Sequence, residues 1–135
     1  MNQTVDDLLQ SPYWIIDFLP RRVPEGSPGQ FFAVEAYYLE EERLAAIKRQ
    51  HINVILKLNC YRRISIDEGE SHNPHPELIA REMRRHPLYI MVDGAMIVSE
   101  PDNTHMTVFN PDDELLELLT SLVAGEGLYL WKPAL

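Results

Sequence analysis

Asp17 and Glu35, taken with Lys57 and Tyr61, are the side chains in this sequence best suited to acid–base chemistry. Neighbouring charges push pKa values apart, so two carboxylates beside an amine and a phenol can divide proton release from proton uptake. Asn59 and Arg63 follow in the same alternating run as Lys57 and Tyr61, and Tyr13 and Tyr37 lie in the stretches that carry Asp17 and Glu35. Asp17, Glu35, Lys57 and Tyr61 are therefore the candidate catalytic residues. Tyrosines among mixed charges also suit a protein-binding face, which makes Tyr37, Tyr61 and Arg63 the candidate binding residues. The same set on a solvated sheet forms ordinary cross-strand charge pairs.

Other constellations carry less. His72-Asn73-Pro74-His75 places two imidazoles three apart beside Glu68, Glu70 and Glu77, a spacing open to a transition metal. No second His or Cys pair stands at zinc-like spacing, and Asp67-Glu68-Gly69-Glu70 lacks the spaced ligands of a calcium loop, so no metal site is expected. Arg21-Arg22, Arg62-Arg63 and Arg84-Arg85 are pairs whose forks would suit phosphate or carboxylate if they converged. A nucleophile elbow, a phosphate-binding glycine loop, a dinucleotide fingerprint and a His-Glu-x-x-His helix are all missing, and no cofactor is expected. No motif names a reaction.

These side chains need elements to hold them. Asn53–Asp67 alternates, with Val54, Leu56, Leu58, Cys60, Ile64 and Ile66 on one side and only Ile55 apolar on the other. That pattern predicts a long central strand with Cys60 in the core row. Tyr13–Leu19 reads as a first strand and Phe31–Leu39 as a second, which would set Asp17, Glu35 and Lys57 on one polar sheet face. Glu40–Gln50 reads as a helix, opened by acids and closed by Lys48 and Arg49. Pro76 opens another that runs to about His86.

Asp93-Gly94 between two apolar runs predicts a tight hairpin, Leu88–Val92 with Ala95–Ser99, and Thr104–Phe109 a third strand of the meander. Asn110, as N-cap, and Pro111 start a leucine-rich helix that ends at Gly125, and Leu128–Trp131 is a last strand. Residues 1–11 read as a short helical or flexible arm, and Arg21–Gln30 as a loop. The order β-β-α-β-α-β-β-β-α-β implies a single α+β domain over 1–135. Its sheet would be largely antiparallel or mixed, with about three helices mainly on one face.

Composition bounds the partners. The chain of 135 residues carries a net charge of −9. From Met91 onward eight acids face Lys132 alone, a balance that disfavours nucleic acid, because phosphate contacts need clustered Lys and Arg. No apolar run reaches membrane-spanning length, the first residues lack a signal-peptide pattern, and one cysteine builds no disulfide framework, so a cytoplasmic place is expected. The reading is a small acidic protein-binding domain without catalytic activity, engaging a protein partner or a second copy of itself. The alternative is a small enzyme or anionic-ligand binder using Asp17, Glu35, Lys57, Tyr61 and Arg63.

Overall fold

In a computed structural model, which describes residues 5–24, 26, 29–66 and 71–133, the chain is an α+β structure on one antiparallel sheet. Helix α1 (Val5–Leu9) leads into β1 (Tyr13–Asp17), followed by α2 (Phe31–Tyr38) and α3 (Glu41–Tyr61). Two short strands, β2 (Ser65–Ile66) and β3 (Ser71–His72), precede α4 (Pro76–Arg85). The meander β4 (Leu88–Val92), β5 (Ala95–Ser99) and β6 (Met106–Phe109) then runs into α5 (Asp113–Gly125) and β7 (Tyr129–Trp131). Among the described residues seven strands lie in the order β3-β2-β4-β5-β6-β1-β7, so β1 and β7 from opposite ends of the chain are neighbours.

The long central strand expected over Asn53–Asp67 is instead, as far as Tyr61, the second half of α3; of its other described residues only Ser65 and Ile66 are in the sheet, and Asp67 lies outside the described residues. Apolar residues at 54, 56, 58 and 60 fit a period of two, but the buried positions are Ile47, Lys48, His51, Ile52, Val54, Ile55 and Leu58, a helical stripe. Ile55, the misfit of the strand reading, is fully buried, while Cys60, assigned to the core row, is exposed. No glycine or proline stands between Gly29 and Gly69, so nothing stops the helix at Gln50. It ends only where Arg62 turns extended.

The expected second strand, Phe31–Leu39, is likewise a helix, α2, rich in the helix formers Ala33, Glu35 and Ala36. Its half-buried residues Phe31, Glu35 and Tyr38 are spaced four and three apart, one side of a helix rather than of a strand. The described elements thus follow α-β-α-α-β-β-α-β-β-β-α-β, with five helices where about three were expected.

One face of the sheet holds the core. Ile90 pairs with Ile97 and Ile97 with Val108, and these meet Ile55 and Leu58 of α3, Ile79 and Met83 of α4, and Leu115, Leu119 and Val123 of α5. Each such side chain contributes roughly 1.5–3 kcal/mol by leaving water. Helices α3, α4 and α5 thus share one face as expected, but Met96 has the opposite parity, and α1 packs on β5 with Leu8 fully buried. Both hairpin residues take positive φ, 47° at Asp93 and 79° at Gly94, the geometry that matches the twist of the flanking strands. The N-cap of α5 is Asp112, whose Oδ1 accepts the Leu115 N–H at 2.8 Å, and not Asn110, which sits at φ 58°. Among the described residues no helix is long and apolar enough to cross a membrane.

Candidate functional site

A cleft of about 220 Å³ opens where β1 ends. The register that pairs Ile16 with Met106 carries Asp17 toward His105, and on the other side Asp17 pairs with Tyr129. Beyond Asp17 the chain leaves the sheet, and the Phe18 ring packs on Tyr38 of α2 with centroids 5.0 Å apart. That contact fastens the inner side of α2, so Glu35, one turn before Tyr38, lines the cleft together with Phe31. Ile15 and Trp131, paired across β1 and β7, form the floor, and Arg21 and Arg22 stand at the exposed rim.

Burial raises the Asp17 pKa above the ordinary carboxylate range. The Phe18 N–H, donated to Oδ1 at 2.8 Å, and the charge of His105 oppose the shift, while Glu35 adds to it. Trp131 carries a buried Nε1–H with no acceptor among the described residues. A half-buried carboxylate, a second carboxylate facing it and an imidazole beside it can bind a cation or exchange a proton.

Behind the Thr104–His105 wall lies a second polar group that the sequence reading did not single out as a site. Lys48, 3% exposed, donates from Nζ to the Glu100 carbonyl at 2.8 Å and to Ser99 Oγ at 3.3 Å, and meets His51 Nδ1 at 3.0 Å. Burial lowers the Lys48 pKa to about 8 against the pull of Asp102 and Glu100. Burial and then the Lys48 charge take His51 down to about 3; the Thr104 main chain opposes this, though among the described residues Nε2 has no hydrogen-bond partner. A lysine of lowered pKa beside a serine hydroxyl is a nucleophile–base pair in outline. Ser99 is 0% exposed, however, so no substrate reaches it, and the group serves to tie α3 to the end of β5. The signal for it was the spacing of Lys48 and His51, three apart at the end of the expected helix, where His51 continues the apolar stripe of Leu44 and Ile47.

The other candidate residues do not gather here. The shared polar sheet face is absent, because Glu35, Lys57, Asn59 and Tyr61 are on helices rather than strands. Lys57 forms an ion pair with Glu126 at 2.5 Å, and Tyr61 is exposed at the end of α3. Arg63 lines a different cavity of about 280 Å³ with His72, Asn73 and Asp93. Tyr37 is on the outer side of α2, its ring 3.6 Å from the Arg43 guanidinium carbon.

Nor do the arginine pairs converge. Arg62 binds Asp93 at 2.5 Å and Glu114 at 3.6 Å, whereas Arg84 and Arg85 are exposed at the end of α4. Among the described residues no group of three His, Cys, Asp or Glu could hold a metal ion. Compared with family models, curated proteins and solved structures, the chain matches none.

Proposed function

We propose that the chain is a protein-binding domain whose contact surface is the outer side of α2. The observation that carries this reading is that α2 buries no residue, yet seven of its eight side chains are Phe, Ala, Val or Tyr. Phe32 is 82% exposed and Tyr37 53%, and Val34 and the following Leu39 extend the patch. A helix this short is marginal in water even with good propensities, and no side chain caps its start. Contiguous exposed apolar surface on such an element marks an interaction site.

The acids Glu40, Glu41 and Glu42 border the patch, and the net charge of −9 extends the same sign over the molecule. Two copies of the chain would meet with like charges around the contact, so the partner that fits is a protein with an apolar groove and a basic rim. The experiment is capture by the tagged chain from its native host at low and high salt, beside the F32S/V34S variant. A protein retained by the native chain, weakened by salt and lost with the variant supports the reading. Equal capture by both chains overturns it, and so does a native mass showing a dimer that the variant abolishes.

A further inference from the structure

The cleft beside Asp17 holds charges of both signs that the fold does not use against one another. Among the described residues neither Asp17 nor Glu35 has an ion-pair partner, and neither do Arg21 and Arg22. The carboxylates come from the end of β1 and the inner side of α2, and the guanidinium groups from the rim segment after Pro20. Taking the Asp17 carboxylate partly out of water costs free energy that the Phe18 N–H and the His105 charge offset only in part, and a bound ammonium group would return more of it. Exposed arginines with free forks suit a carboxylate.

Between the two sets of charges the walls are apolar. Phe18, Phe31 and Ile15 supply carbon surface, and the Trp131 ring lies beside them with its buried Nε1–H still lacking an acceptor. The volume of about 220 Å³ is below the usual 300–1,000 Å³ of sites for drug-sized ligands, which points to a small molecule. A polyanion would meet two carboxylates inside the cleft, and a simple cation would leave the rim arginines unused.

We propose that this cleft binds a small zwitterion, an ammonium and a carboxylate on one apolar frame, as in a free α-amino acid with an apolar side chain. The ammonium group lies between Asp17 and Glu35, the carboxylate meets Arg21 and Arg22, and the apolar side chain rests on Phe18 and Phe31.

The test is titration of the full chain with L-leucine and L-phenylalanine, by calorimetry and thermal melting. Leucinamide, which keeps only the ammonium, and N-acetyl-leucine, which keeps only the carboxylate, are the comparison ligands. Saturable binding of the amino acids, with each comparison ligand weaker by roughly tenfold or more, is the expected result. The R21Q/R22Q variant should weaken leucine by a similar factor and leave leucinamide unchanged, while D17N weakens both; E35Q repeats that test if D17N fails to fold. No binding of either amino acid at about 10 mM overturns the proposal, as does equal binding of leucine and either comparison ligand.

Discussion

Lys48 and His51, one turn apart on α3, meet at 3.0 Å from Nζ to Nδ1 where neither is more than 3% exposed. Because Lys48 is the donor, Nδ1 carries the lone pair and the ring proton sits on Nε2. The pair therefore holds one positive charge, and a proton added to His51 would place a second beside it in a buried site.

His51 should set part of the acid limit of the fold. Its folded pKa is about 3 against 6.5 in the unfolded chain, so between these values the unfolded state holds more protons. Stability falls as pH drops through 6.5 toward 3, by up to about 1.4 kcal/mol per pH unit. Urea unfolding of the native chain and H51Q across this range should give a steeper loss for the native chain. Parallel curves would mean that His51 titrates as it does in water.

Lys48 carries the same sign at the other end of the pH scale. Its folded pKa of about 8 is below the unfolded 10.5, so stability rises with pH across that window as the buried amine sheds its charge. K48M keeps the apolar stem but strips Ser99 Oγ and the Glu100 carbonyl of their donor, at a cost of about 1–3 kcal/mol at neutral pH. Methionine does not titrate, so the gap between native and variant should widen from pH 8 to 10.5. A gap that is constant across those values would contradict a buried, charged Lys48.

Much of the fold was legible where local chemistry is unambiguous. Asp93-Gly94 allows two positive φ values in succession, and Pro76 marks a helix start by the N–H it lacks, whereas the cap of α5 falls on Asp112, two residues past the expected Asn110. The stretch from Phe31 to Asp67 was not legible in the same way. Its apolar residues satisfy a period of two over short spans, and what separates that from a helix is the partial burial of Phe31, Glu35 and Tyr38 in α2 and the burial of Ile55, with Cys60 exposed, in α3. Nor could the cleft be assembled in advance, since Asp17 and Glu35 line one cleft through the packing of the Phe18 and Tyr38 rings. Lys57, Tyr61 and Arg63 were grouped with them through a sheet neighbourhood that α3 replaces.

The start of α5 offers a local test. Asp112 Oδ1 accepts the Leu115 N–H, while the Asn110 side chain donates to the Gly94 carbonyl at 3.1 Å. D112A should lose about 1 kcal/mol and speed hydrogen exchange of the Leu115 amide. N110G should change stability by less than about 0.5 kcal/mol, because glycine accepts the positive φ, and leave that amide protected. Loss of Leu115 protection in N110G rather than D112A would return the cap to Asn110.

Cys60 decides between helix and strand for the stretch that was hardest to read. In a core-facing strand row its thiol would be sealed until the chain unfolds. On α3 it is exposed, with Sγ 3.6 Å from the Leu56 carbonyl one turn back. A disulfide reagent of the Ellman type should therefore titrate one thiol per chain without denaturant, within roughly tenfold of the rate for a small thiol. C60S should leave stability within about 0.5 kcal/mol of the native chain, as expected where a side chain packs against nothing buried. Reaction only after unfolding, with a costly C60S, would place the thiol in the core and remove the helical second half of α3. The contact between Lys48 and His51 would go with it, because His51 is on α3 only when the helix continues through Gln50.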